Sequence, residues 1–326
     1  MSAPVLSVRD LSVRIGNIVP VQELSFEVNA GEVLGIVGES GSGKSLTLRA
    51  ILRLLPRVAQ TSGHILWRGR DLTRLGEPEL RALRGREIAI VFQEPMAALD
   101  PVLTIGRQIT ESLAEHLGLR GRSARSRAIE LLDMVGIPDA GRRLGSYPHE
   151  FSGGMRQRAM LAIALAGGPK LLLADEPTTA LDVTIQDQIL KLLLRLRREL
   201  SMSIVLVTHD LGIVAETCDR VAVLYSGRVM EIGPVETILE RPAHPYTLGL
   251  IDSVPEARHA RRHLAAIPGA PPDPLALPPG CRFAPRCTLA SPDCLRSLPE
   301  LRSLSTDHAT ACIRSHAVVR RELVAS

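Results

Sequence analysis

Aromatic side chains are scarce: Phe, Trp and Tyr together make up 2% of the 326 residues. Few flat rings leave little for nucleobases to stack on, which argues against a single-stranded nucleic-acid binder. Lysine occurs only at Lys44, Lys170 and Lys191, so arginine supplies almost all of the 39 basic side chains. Long apolar runs are missing as well. Runs such as 171–174 and 204–207 are far too short to cross a bilayer. The opening MSAPVLSVRD has no basic region followed by an apolar one, so no secretion signal is expected and the chain is expected to stay in the cytosol.

What is present is ordinary for a folded protein: 45% hydrophobic and 23% charged residues, with length for about two domains. The formal charge of +4 and a pI near 9.0 would suit an anionic partner. The arginines are dispersed, however, and the densest groups (Arg120, Arg122, Arg125 and Arg127, then Arg195, Arg197 and Arg198) read as solvated helix faces.

Hydrophobic spacing divides the chain. Residues 5–37 read as strands, with Leu6, Val8, Leu11 and Val13 and then Leu24, Phe26 and Val28 apolar. EVLGIVG (32–38) is a short apolar run entering a glycine loop. LTLRAILRLL (46–55) predicts a helix closed by Pro56, and EIAIVFQ (87–93) another strand. Over 101–168, Ile109, Leu113 and Leu117, then Ile129, Leu132 and Val135, follow helical spacing and predict a helical insert. Strands return at LLLADE (171–176) and SIVLVTHD (203–210), separated by a stripe of Ile185, Ile189, Leu192, Leu193, Leu196 and Leu200 on one helix face. This alternation predicts an α/β core with a parallel sheet covered on both faces, preceded by an N-terminal antiparallel β subdomain. RVAVLYSGRVMEIG (220–233) predicts a strand pair turning at Ser226-Gly227. After about residue 240 the texture changes: IPGAPPDPLALPPG (267–280) is proline-rich, and four of five cysteines follow it. The expected organisation is a domain over 1–240, its helical part at about 101–168, and an irregular C-terminal extension over 241–326.

GESGSGKS (38–45) satisfies G-x-x-x-x-G-K-[ST] between a strand and a helix, the context of a phosphate-binding loop. Gly38, Glu39, Ser40, Gly41, Ser42 and Gly43 would turn backbone amides toward phosphate. Lys44 would reach the outer phosphates and Ser45 would ligate Mg²⁺. At the end of an apolar strand, Asp175 would hold Mg²⁺ and Glu176 would polarise the attacking water. His209 ends the next strand and could position a γ-phosphate.

The ordered set GESGSGKS, VFQEP, FSGGM, LLLADEP, TALD and VTHD resembles the nucleotide-binding subunit of an ABC transporter over about 5–235. The resemblance implies an enzyme, an ATPase coupled to transport, using ATP and Mg²⁺. Gln93 is then similar to the loop glutamine that contacts Mg²⁺ or water and relays to the membrane partner. Asp182 resembles the residue that communicates across a dimer, and His209 the switch histidine. Ser152, Gly153 and Gly154 would cap the ATP held by another subunit, which makes ATP the clamp between two chains. Two positions depart from the pattern. Ile15 stands where an aromatic stacks on adenine, and Met155 stands where many members have Gln, with Gln157 nearby as a substitute.

VFQEPMAALDP (91–101), HPYT (244–247) and the late cysteines resemble the oligopeptide/dipeptide import branch, which includes nickel importers. That implies a second ATPase subunit (a sister or a copy), two transmembrane permease subunits, an extracytoplasmic binding protein, no nucleic acid, and a place on the cytoplasmic face of the membrane. A nickel-chelate importer, a soluble ABC-type ATPase on nucleic acid or ribosomes, and a cluster-bearing regulatory module are the alternatives. One cassette without a coiled coil speaks against the soluble reading, and Glu176 with His209 against the regulatory one. Cys281, Cys287, Cys294 and Cys312 have five, six and seventeen residues between them. A disulfide framework does not suit a reducing cytosol, and zinc sites usually show closer pairs. Four thiolates suit a [4Fe–4S] cluster, which some members of this branch carry; zinc and a metal-free set stay open. Cys218 reads as a core thiol.

Overall fold

The structure, a computed structural model, describes residues 3–179, 181–253 and 267–318. Ala180 of TALD, and 254–266 and 319–326 of the C-terminal extension, lie outside the described residues. The chain divides into two compact units, one of residues 1–73 with 208–326 and one of 74–207.

In the first unit, strands Ile18–Val28, Leu6–Ile15, Ala59–Trp67 and Arg70–Asp71 form an antiparallel sheet in that order. Leu6 and Val8, then Leu11 and Val13 beyond a register shift at left-handed Asp10 (φ 51°), lie on its buried face. A second set of strands begins with Val33–Val37, which pairs in parallel with Arg220–Tyr225. That strand pairs antiparallel with Arg228–Pro234. The hairpin between them turns at Ser226 (φ 45°) and Gly227 (φ 81°), the two positive φ values that match the twist of flanking strands.

The late segment is built into this unit rather than set apart from it. Ala309–Thr310 adds to the edge of Arg228–Pro234 and pairs in turn with Arg302–Ser303. Cys281, Phe283, Ala284 and Cys294 share one hydrophobic cluster with Val37, Val221, Val223 and Tyr225. Three of the chain's few aromatic rings meet there: Tyr225–Tyr246 at 4.7 Å, Tyr246–Phe283 at 5.3 Å and Tyr225–Phe283 edge-on at 5.4 Å.

The helix after the glycine loop is shorter than its apolar pattern. It spans Lys44–Ile51. Arg53 is left-handed (φ 51°), and the amides of Arg53 and Leu54 turn back to Ala50 (3.0 Å) and Arg49 (2.8 Å). This closes the helix before Pro56 and leaves Leu54 exposed.

In the second unit, Ile88–Val91, Leu171–Asp175 and Ser203–Thr208 are parallel, with register running from Leu171↔Ser203 to Asp175↔Val207. Every residue of Leu171–Asp175 is buried, the mark of a strand covered on both faces. Helices Ile105–Leu117, Gly121–Met134 and Gly153–Leu165 pack on one another through buried Ile109, Leu113, Leu131 and Leu132. The Val183–Leu200 helix buries Ile189, Leu192, Leu193 and Leu196 from its apolar stripe and ends at left-handed Ser201.

Candidate nucleotide-binding site

The glycine loop leaves the buried strand Val33–Val37 and ends at the helix Lys44–Ile51. Gly41 (φ 75°) and Gly43 (φ 98°) hold left-handed backbone that side chains resist, and a Cβ on Gly43 would lie 2.6 Å from the Pro20 carbonyl oxygen. Lys44 is buried, and its Nζ donates to the carbonyls of Gly38 (2.8 Å) and Glu39 (3.0 Å), so the ammonium lies across the curved loop. No side chain caps the helix start at Gly43. Ser42 Oγ is buried and has no hydrogen-bond partner among the described residues. An orphaned hydroxyl beside an uncapped helix start and a buried ammonium is the donor set a phosphate requires, so these residues fit a nucleotide triphosphate. His209 follows the strand Ser203–Thr208 and is exposed. The neighbouring Asp210 caps the helix Leu211–Thr217 through the amide of Gly212 at 2.7 Å. Ile15 ends its strand beside the turn at Gly16 and is half-buried.

In the second unit, Asp175 is buried at the carboxyl end of its strand. Glu176 follows in the left-handed region (φ 45°), a strained setting for a non-glycine residue, with its amide tied to Val207 O at 3.0 Å. Its carboxylate Oε2 accepts from Gln93 Nε2 (3.2 Å) and from Thr179 Oγ1 (2.8 Å). The structure thus brings together Gln93 and Glu176, which lie 83 residues apart. Ser152 starts the helix Gly153–Leu165 and accepts from Met155 N at 3.4 Å. No acidic residue occupies the first turn of that helix, so its positive end is uncompensated. A Cβ on Gly154 would meet Ile185 Cγ2 at 2.7 Å. Asp182 begins the helix Val183–Leu200, is exposed, and caps nothing with its side chain. Gln157 does not stand in for a glutamine at Met155. It is 1% exposed and turned inward, with its Nε2 unpartnered among the described residues.

Residues 21–179 match the family described as ABC transporter, and residues 230–294 match the C-terminal region of oligopeptide/dipeptide transporters. The chain is 52% identical over 316 residues to a protein of Brucella abortus (strain 2308) named as a peptide import ATP-binding protein, covering 95% of each. This chain belongs to the ABC transporter family. It is also 47% identical to the oligopeptide transport ATP-binding protein OppD of Haemophilus influenzae, covering 95% of this chain and 97% of that one. Among solved structures, the ATP-binding cassette MJ0796, dimeric and bound to ADP and Pi, matches at TM-score 0.63 and 30% identity over 71% of this chain and 98% of that one. The cbiO1 protein from Clostridium perfringens matches at TM-score 0.63 and 29% identity, over 74% and 93%.

Cys281, Cys287, Cys294 and Cys312 line one small cavity, with His244 and Phe283 among its other walls. Burial pushes the thiols of Cys281 and Cys287 up, and that of Cys312 to about 12. Among the described residues no group of three or more His, Cys, Asp or Glu is gathered tightly enough to hold a metal ion. The donors are of one soft type and share a cavity, and they do not form a closed ligand shell.

Sequence reading missed two residues around the loop. Tyr246, quoted only within HPYT, accepts the Glu39 amide at 2.9 Å. Arg286, between two of the cysteines, holds the Glu39 carboxylate with both terminal nitrogens, at 2.6 and 3.0 Å. The HPYT motif pointed to the first; no local signal marks the second.

Proposed function

We propose that this chain is the ATP-hydrolysing subunit of an importer for di- or oligopeptides, peripheral on the cytoplasmic face of the membrane. The observation that carries the reading is the Glu176 carboxylate, aimed by Gln93 and Thr179 next to buried Asp175. A carboxylate oxygen held by two neutral donors has a fixed direction from which to take a proton from the attacking water. The names of full-length relatives support peptides as the cargo.

Gly38, Glu39, Ser40, Gly41, Ser42 and Gly43 supply the curved backbone that receives phosphate, and Lys44 supplies the cation. Bound Mg²⁺ would neutralise phosphate charge, with Ser45, Asp175 and Gln93 as the candidate ligands. Glu176 takes the proton of the attacking water, and His209 holds the γ-phosphate end. Ser152, Gly153 and Gly154 offer a helix start to ATP held by a partner chain, and Asp182 signals across that pair. The dimeric relative bound to ADP and Pi supports the pairing. The partners are a second ATPase subunit, two transmembrane permease subunits and an extracytoplasmic binding protein.

For the extension, we infer a thiolate-ligated centre, a [4Fe–4S] cluster, whose binding would draw the four cysteines from the cavity they share into a closed shell. Support comes from the single cavity all four line. Such a group supplies positive charge that would return the raised thiols to thiolates. Anaerobically purified protein is expected to be brown and to carry iron and acid-labile sulfide; a colourless protein with one zinc, or none, overturns the cluster.

The test of function is uptake by the complex reconstituted with its membrane subunits and binding protein. ATP-dependent accumulation of a peptide, lost with Glu176→Gln, is the expected result. Uptake that persists in that variant, or selectivity for a nickel chelate over any peptide, contradicts it.

A further inference from the structure

We propose that Arg286 is a positioning residue for the phosphate loop, and that it transmits the arrangement of the cysteine-lined cavity to ATP binding. The proposal rests on the reading of residues 38–45 as that loop. Arg286 belongs to the single 3-10 turn Ala284–Arg286, which joins Cys281 to Cys287. The turn is closed by Ala284 N to Cys281 O (3.0 Å), Arg286 N to Phe283 O (3.0 Å) and Cys287 N to Ala284 O (3.2 Å). Two cavity-lining cysteines therefore bracket the backbone from which this guanidinium projects.

The guanidinium is almost wholly used. Nη1 and Nη2 grip Glu39, Nη1 also donates to Tyr225 Oη (3.2 Å), Nε to Pro268 O (2.8 Å) and Nη2 to Ile267 O (3.3 Å). Its side chain is 6% exposed and that of Glu39 27%. A two-pronged, largely desolvated ion pair fixes direction as well as distance, which a lysine could not do.

Glu39 is the second residue of the phosphate loop and is held at three points. Arg286 takes its carboxylate. Tyr246 takes its amide. Its carbonyl accepts from Lys44 Nζ (3.0 Å) and Ser42 N (3.2 Å). The same residue that anchors to the extension therefore also receives the catalytic ammonium. A shift of the turn 284–286 must either carry Glu39 with it or break the ion pair. Because binding free energies are reciprocal, ATP on the loop must in turn alter the cysteine cavity.

The test has two arms on the full-length chain. In the first, hydrogen–deuterium exchange of the backbone amides at each cysteine is followed by peptide mass spectrometry with and without Mg-ATP. Nucleotide is expected to change the rates at Cys281 and Cys287 by about threefold or more and Cys218 less, with the difference abolished in Arg286→Ala. Cys218 packs against the same core and reports general stabilisation. Equal changes at all three, or none, overturn the proposal, and this comparison needs only the wild-type protein if the variant does not fold. In the second arm, Arg286→Ala and Glu39→Gln are each expected to weaken ATP binding about tenfold, and the double variant no more than either alone. Additive losses, or unchanged affinity, overturn it. Failure of the wild-type chain to bind ATP, or retained binding by Lys44→Ala, would instead strike the loop reading beneath it.

Discussion

Gln93 donates from Nε2 to Oε2 of Glu176 at 3.2 Å, and Thr179 donates to the same oxygen at 2.8 Å. One carboxylate oxygen is thereby fixed, and its lone pairs have a set direction. Glu176→Gln keeps the size and loses the base. Nucleotide affinity is expected to stay within about twofold of wild type while turnover falls at least about 100-fold. Steady-state hydrolysis together with equilibrium binding of ATP checks both; turnover near the wild-type rate would remove Glu176 from its role.

Gly154 owes its identity to packing as well as to any ligand. A methyl there would press on Ile185 Cγ2 at 2.7 Å. Gly154→Ala is expected to lower stability by about 1–2 kcal/mol, and the added Ile185→Ala to return part of that loss by making room. Thermal melts of the single and double variants give the answer, and a double variant no better than the sum of the singles refutes the contact.

Glu231 is wholly buried and accepts from Ala243 N (2.6 Å), His244 N (3.0 Å) and His308 Nε2 (2.8 Å). It fastens the HPYT segment to the strand Arg228–Pro234 and to the late segment at once. Glu231→Ala strands three donors in the interior and is expected to cost about 3–5 kcal/mol. Since Tyr246 reaches the phosphate loop from the same segment, ATP affinity is expected to fall with it. Chemical denaturation and nucleotide titration test the pair of effects, and a stable variant with normal affinity contradicts them.

The parts of this protein that are local in sequence were legible there. The glycine loop, the strand Leu171–Asp175 and the stripe Ile189, Leu192, Leu193 and Leu196 each follow from spacing within one element. The early end of the helix Lys44–Ile51 was not, because one left-handed residue, Arg53, outweighs an apolar pattern that runs on to Leu55. Gln157 looked available beside Met155, yet its place on the helix turns it inward. Arg286 was invisible for a different reason. Its partner Glu39 lies 247 residues away, and nothing local distinguishes it from the many other arginines. The late segment's scattered apolar residues likewise carry no period, although they complete the core beside the loop.

The central claim is that Ser152 and the glycines after it serve the ATP of a partner chain and not that of their own. The most direct measurement is the affinity of the monomeric chain for Mg-ATP, wild type against Ser152→Arg, with turnover of the same variant in the assembled complex. Affinity unchanged within about twofold, with turnover lost at least about 100-fold, is the expected result. Weakened binding in the isolated monomer, or hydrolysis that survives the substitution, would contradict the account.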